Sequence, residues 1–170
     1  MKRLRVIYDD TIAGASASEY LAIRPKEGVS LCIEHGVLTQ SAQTTEERLD
    51  VYFQYITTWG PAAGSAVEQL GMDGTPAGTD SLDATLLGDL TTPPTTYDAD
   101  GIVAGPDGRY RSNLATPAWV FNPLDPEQRI WLVADSGEAR GICLRVGTLT
   151  NAHTFHLELV IAQYGWDQSP

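Results

Sequence analysis

Three residues near the end of the chain have the chemistry of metal ligands: His153, His156 and Glu158, all within HTFHLELVIAQYG. Imidazole nitrogens and carboxylate oxygens hold zinc and related ions when several of them converge on one point. Strand periodicity limits how far they can converge. As a strand, the stretch puts Phe155, Leu157, Leu159 and Ile161 on one face and His156, Glu158, Val160 and Ala162 on the other. Four large apolar side chains make a core face, each stabilising the fold by about 1.5–3 kcal/mol when buried. His156 and Glu158 are then neighbours on the second face, and His153 falls in the preceding turn. The one other histidine is His35, next to Glu34. A metal site at His35, His156 and Glu158 is geometrically allowed. An outer face that is solvated or meets another protein is the favoured reading.

Histidines with a glutamate are similar to the metal sites of cupins, but the close His-x-His pair of that family is absent. Nucleophilic catalysis fares no better. Cys32 and Cys143 each lie in an apolar run, with no neighbouring histidine to lower the thiol pKa and no CxxC spacing. Two buried free thiols are expected, with a disulfide as the alternative. There is no GxSxG elbow, and GPAAGS lacks the lysine of a phosphate-binding loop. The carboxylate pairs Asp9/Asp10 and Glu46/Glu47 are adjacent in sequence, whereas glycosidase chemistry needs two carboxyls facing across a cleft. No catalytic residue, cofactor or metal is therefore expected.

Aromatic residues carry more weight. Trp59 and Trp166 sit at strand ends, and Trp119 and Trp131 lie within strands. Trp131 is flanked by Ile130 and Leu132, so both sides of that strand are apolar and something must cover the second side. Trp59 and Trp166 are candidate interface residues, with core or rim packing as the alternative. Basic residues supply a second candidate. Lys2, Arg3 and Arg5 cluster at the N-terminus of a chain whose formal net charge is −11. They are expected to form a basic arm that docks onto an acidic neighbour, unless they are simply solvated. The acidic balance disfavours nucleic acid as a direct partner, and no apolar run is long enough to span a membrane.

The elements that must position these groups are strands. Hydrophobic residues make up 42% of the 170, enough for a full core, and 16 glycines with 10 prolines favour a turn-rich β protein. Alternating runs predict about eight strands: Arg3 to Tyr8, Glu19 to Pro25, Val29 to Gln40, Arg48 to Trp59, Pro117 to Pro123, Arg129 to Asp135, Gly141 to Thr148 and the closing stretch. Gly36 interrupts the third and is expected to mark a bulge. Residues 60–116 are rich in turn chemistry and read as a long excursion or arm. Within it, SLDATLL reads as a short helix or an irregular strand. No long amphipathic helix and no βαβ rhythm occur. The expected fold is one all-β domain over residues 1–170, an antiparallel β-sandwich that is jelly-roll-like.

The order of these elements resembles the small all-β virion proteins of bacteriophages. The resemblance runs from about Leu4 to Gly165. It rests on SEYLAIRPKEGVSLCIEHGVLTQSAQTTEERLDVYFQYI with its Gln40 to Val51 segment, on the small-residue middle GPAAGSAVEQLGMDGTPAGTD, and on the tryptophan strand with its proline–acid–arginine turn in WVFNPLDPEQRIWLV. Such a protein would decorate or cement a capsid, made in the host bacterial cytoplasm and carried on the virion surface. Its partners would be copies of itself and other capsid proteins. A single jelly-roll major capsid protein of a tailless phage and a glycan- or receptor-binding β-sandwich module are the alternatives, with a cupin-like metalloenzyme behind them.

Overall fold

The structure, a computed structural model, describes residues 1–12, 18–43, 47–103, 109–112, 118–133, 140–147 and 150–165. Two antiparallel sheets pack face to face as a β-sandwich, the all-β architecture expected from the alternation. In chain order the strands are β1 (Lys2–Ile12), β2 (Ser18–Pro25), β3 (Val29–Gln43), β4 (Glu47–Thr58), β5 (Ala63–Ala66), β6 (Glu68–Gly71), β7 (Ala84–Thr92), β8 (Thr96–Val103), β9 (Arg109–Ser112), β10 (Trp119–Phe121), β11 (Ile130–Val133), β12 (Gly141–Val146) and β13 (His153–Gly165). The first sheet runs β10–β3–β13–β1–β6, with β11 also on β3. The second runs β5–β7–β2–β12–β4–β8, with β9 also on β4.

The closing stretch folds as its periodicity requires. Phe155, Leu157, Leu159 and Ile161 are fully buried between the sheets, while His156, Glu158 and Val160 face outward and are half-buried. β13 occupies the middle of its sheet, paired to β1 on one side and β3 on the other. The opposite wall presents Val51 and Phe53 from β4 and Ile142, Leu144 and Val146 from β12. An aromatic group fills one end of the core: Phe53 lies 5.8 Å from both Trp119 and Phe121.

The bulge signalled by glycine is present one step upstream. Ile33 pairs with Ile161 and His35 with Val160, so Glu34 and His35 together oppose one residue of β13 and both turn outward. Gly36 then faces the core. A β-carbon there would stand 2.8 Å from a Leu159 methyl and 3.6 Å from Phe121 and Trp119, so the absent side chain is what lets the aromatic group close.

Residues 60–116 depart from the expected excursion. They contribute β5 to β9, bringing the total to thirteen strands among the described residues instead of about eight. The segment read as a helix or irregular strand, Ser81 to Leu87, follows a 3-10 turn at Gly78–Asp80 and runs into strand β7, whose alternation buries Leu86 and Gly88. These strands form because existing edges template them: β7 adds to β2, β5 to β7, and β6 to β1. Their intrinsic signal is weak, as AGSA and EQLG show.

The same segment covers the outer face of the second sheet. Ala22, Ile56, Trp59 and Cys143 form a second apolar cluster there, with Ala62, Leu87, Leu90 and Tyr97 packed against it. To pass from β4 to β5 the chain must cross β12, β2 and β7, and Trp59 stands at the start of that crossing.

Candidate subunit interface

The groups that suggested a metal do not share a site. His156 and Glu158 lie on the outer face of β13, as expected. His153 is the first residue of that strand, not part of the preceding turn, and its side chain is fully buried on the opposite side. The sheet itself separates the two imidazoles. His153 Nδ1 lies 2.9 Å from Gln40 Nε2, and His156 Nδ1 lies 2.7 Å from Asp9 Oδ1. Glu158 accepts from Arg5 Nε at 3.0 Å, which holds its carboxyl below the usual carboxylate range. No group of three histidine, cysteine, aspartate or glutamate side chains is placed to hold a metal among the described residues.

The basic N-terminus is not an arm. Lys2, Arg3 and Arg5 belong to β1, a strand flanked on both sides by β13 and β6. Their charges are used within the chain. Lys2 Nζ donates to the Ser81 carbonyl at 2.8 Å, and Arg5 pairs with Glu158. Arg3 reaches Glu34 through Nε at 2.6 Å and Nη2 at 3.0 Å. The alternation of Leu4 and Val6 with Arg3 and Arg5 marked a strand with an inner face, and the local charge density obscured it.

Glu34 is the focus of that pairing. Its side chain is only 9% exposed and is also met by Arg129 Nη1 at 3.0 Å, so two guanidinium groups neutralise one carboxylate. The bulge turns Glu34 outward, and the two arginines tie β1 and the start of β11 to β3.

Trp59 is 7% exposed and lies inside the monomer. Its ring packs against Gly141, where a β-carbon would stand 3.0 Å from the ring and 2.7 Å from the Ile23 carbonyl oxygen. Arg24 covers the ring at 5.7 Å from its centroid. The interface role expected for this side chain is replaced by a packing role, because the chain folds back over the sheet immediately after it. Trp166 lies outside the described residues, as does Glu46. Cys32 and Cys143 are both free and buried. Burial pushes the Cys32 thiol up to about 11 and the Cys143 thiol higher still, which leaves neither poised as a nucleophile.

The surface that sequence reasoning missed is the edge formed by β10 and β11. Both strands pair antiparallel with β3, β10 at Gly36 to Leu38 and β11 at Ser30 to Ile33. They are one edge strand interrupted by residues 122–129, which loop out opposite the β3 bulge. Two prolines frame this loop. Asp125 caps a 3-10 turn at Pro126–Gln128, its carboxylate accepting from the Glu127 amide at 3.1 Å. Leu124 at the tip is 94% exposed.

Val120 and Val133 are also exposed on this edge. Trp131 turns outward and packs on Tyr164 with ring centroids 5.2 Å apart. At the far end of β11 the two sheets separate around a cleft of about 430 Å³, lined by Tyr55, Ile56, Thr57, Asp98, Trp131, Leu132, Val133 and Arg140. The available signal was the apolar leucine set between two prolines in NPLDPEQ, a position where a turn usually carries a polar residue.

Comparison with known proteins adds no relationship: no family model matches the chain, and neither curated proteins nor solved structures give a significant match.

Proposed function

We propose that this chain is a non-catalytic structural protein of a bacteriophage virion, decorating or cementing the capsid through contacts between subunits. The observation that carries this reading is the β10–β11 edge. Of the five large hydrophobic side chains exposed among the described residues, three (Val120, Leu124 and Val133) lie on it. A charged, strongly acidic molecule that gathers its exposed apolar groups on one edge is shaped to bury that edge against protein.

Strand order supports the jelly roll as the finer architecture. The path β1–β13–β3–β10/β11 in one sheet faces β2–β12–β4–β8/β9 in the other. β1 and β2, β3 and β4, and β12 and β13 each divide between the two sheets, the interleaving of a rolled pair of Greek keys. β5, β6 and β7 are additions to its edges. Viral capsid proteins, lectins and cupins all use this roll, so the surface must choose between them. The cupin alternative loses its enclosed site: His35, His156 and Glu158 face outward from the first sheet instead of into the core, and His156 and Glu158 are paired with Asp9 and Arg5. Partners under this reading are capsid proteins and copies of the chain, without contact to nucleic acid or membrane, at the capsid surface of particles assembled in a bacterial cytoplasm.

Quantitative mass spectrometry of purified particles tests the proposal. Copies in proportion to the shell subunits are expected. Absence from particles, or a handful of copies confined to the tail, would overturn it. The cleft favours a second reading, a glycan-binding module, since Tyr55 and Trp131, aromatic residue types that stack on sugar rings, both line it.

A further inference from the structure

We draw no further inference here: the strongest candidate, the outer face of the first sheet where Ile7, Val37 and Val160 lie half-buried, carries nothing, because Arg3, Arg5, Asp9 and Glu158 on it are paired within the chain and nothing in the structure shows what covers it.

Discussion

Trp59→Ala separates a packing role from an interface role at the tryptophan that sequence placed on the surface. The side chain is 7% exposed and supports Ala22, Ile56 and Cys143 on the outer face of the second sheet. Truncating a buried tryptophan to alanine costs about 3–5 kcal/mol through lost transfer energy and the cavity left behind. Loss of the Arg24 cation–π contact adds about 0.5–1 kcal/mol. Partial collapse of Ala62 and the Gly60 turn into the space works against this, so a loss of about 3–5 kcal/mol is expected. That is a large share of the roughly 5–15 kcal/mol that holds a domain together.

Urea denaturation followed by far-ultraviolet circular dichroism measures it. With a slope of about 2 kcal/mol per molar urea, the midpoint should fall by about 2 M. Trp59→Phe should lose appreciably less, because it keeps the ring over Gly141. If Trp59→Ala unfolds within about 1 kcal/mol of wild type while losing its oligomeric state, the ring belongs to a subunit interface and the packing reasoning fails.

Three further outcomes follow from the side-chain geometry. Arg3→Ala alone leaves Glu34 its partner Arg129, whereas removing both arginines strands a carboxylate whose side chain is 9% exposed. Denaturation of the double variant should show a loss of about 3–5 kcal/mol, more than the two single losses combined. Alkali should destabilise the fold. Burial raises the phenol of Tyr20 and the thiols of Cys32 and Cys143 above their ordinary values. The unfolded chain then releases those protons first, from about pH 8.5 for thiols and about pH 10 for phenols. Stability is therefore unaffected by these groups at neutral pH and falls as pH rises beyond those values, by about 1.4 kcal/mol per pH unit for each fully buried group; a flat profile in a pH series of urea midpoints would contradict this. Ellman's reagent should find neither cysteine in native protein at pH 8 and both in denaturant.

Much of the sandwich was legible because long strands alternate. β13 buries the residues its period-two pattern selects, as β3 does at Leu31 and Ile33, β4 at Val51 and Phe53, and β12 at Ile142, Leu144 and Val146, and the bulge announced by Gly36 lies immediately before it. The short strands were not legible. Gly88 and Leu86 belong to a buried face only because β7 finds β2 as a template, and no window of that sequence contains the partner. Lys2, Arg3 and Arg5 misled for a related reason. Their partners Ser81, Glu34 and Glu158 are distant in sequence, so the cations looked unsatisfied. Trp59 looked like a rim residue because the return of the chain across the sheet depends on where β5 lies. The Leu124 loop was visible as a turn, and that it interrupts one edge strand emerged once β10 and β11 aligned as halves of that strand.

The central position of β13 shapes how the molecule must assemble. Residues 2–12 meet residues 153–163, so half of that strand's bonds wait on the closure of a loop spanning most of the sequence. Until it arrives, β1 and β3 each expose a bare flank of amides and carbonyls, and any intermediate can recruit a stray strand from another molecule. Arginine and glutamate alternate with valine and isoleucine on the outer face there, and their charge discourages wrong partners during the delay. Slow, temperature-sensitive refolding with losses to aggregation at high concentration is the behaviour this topology imposes.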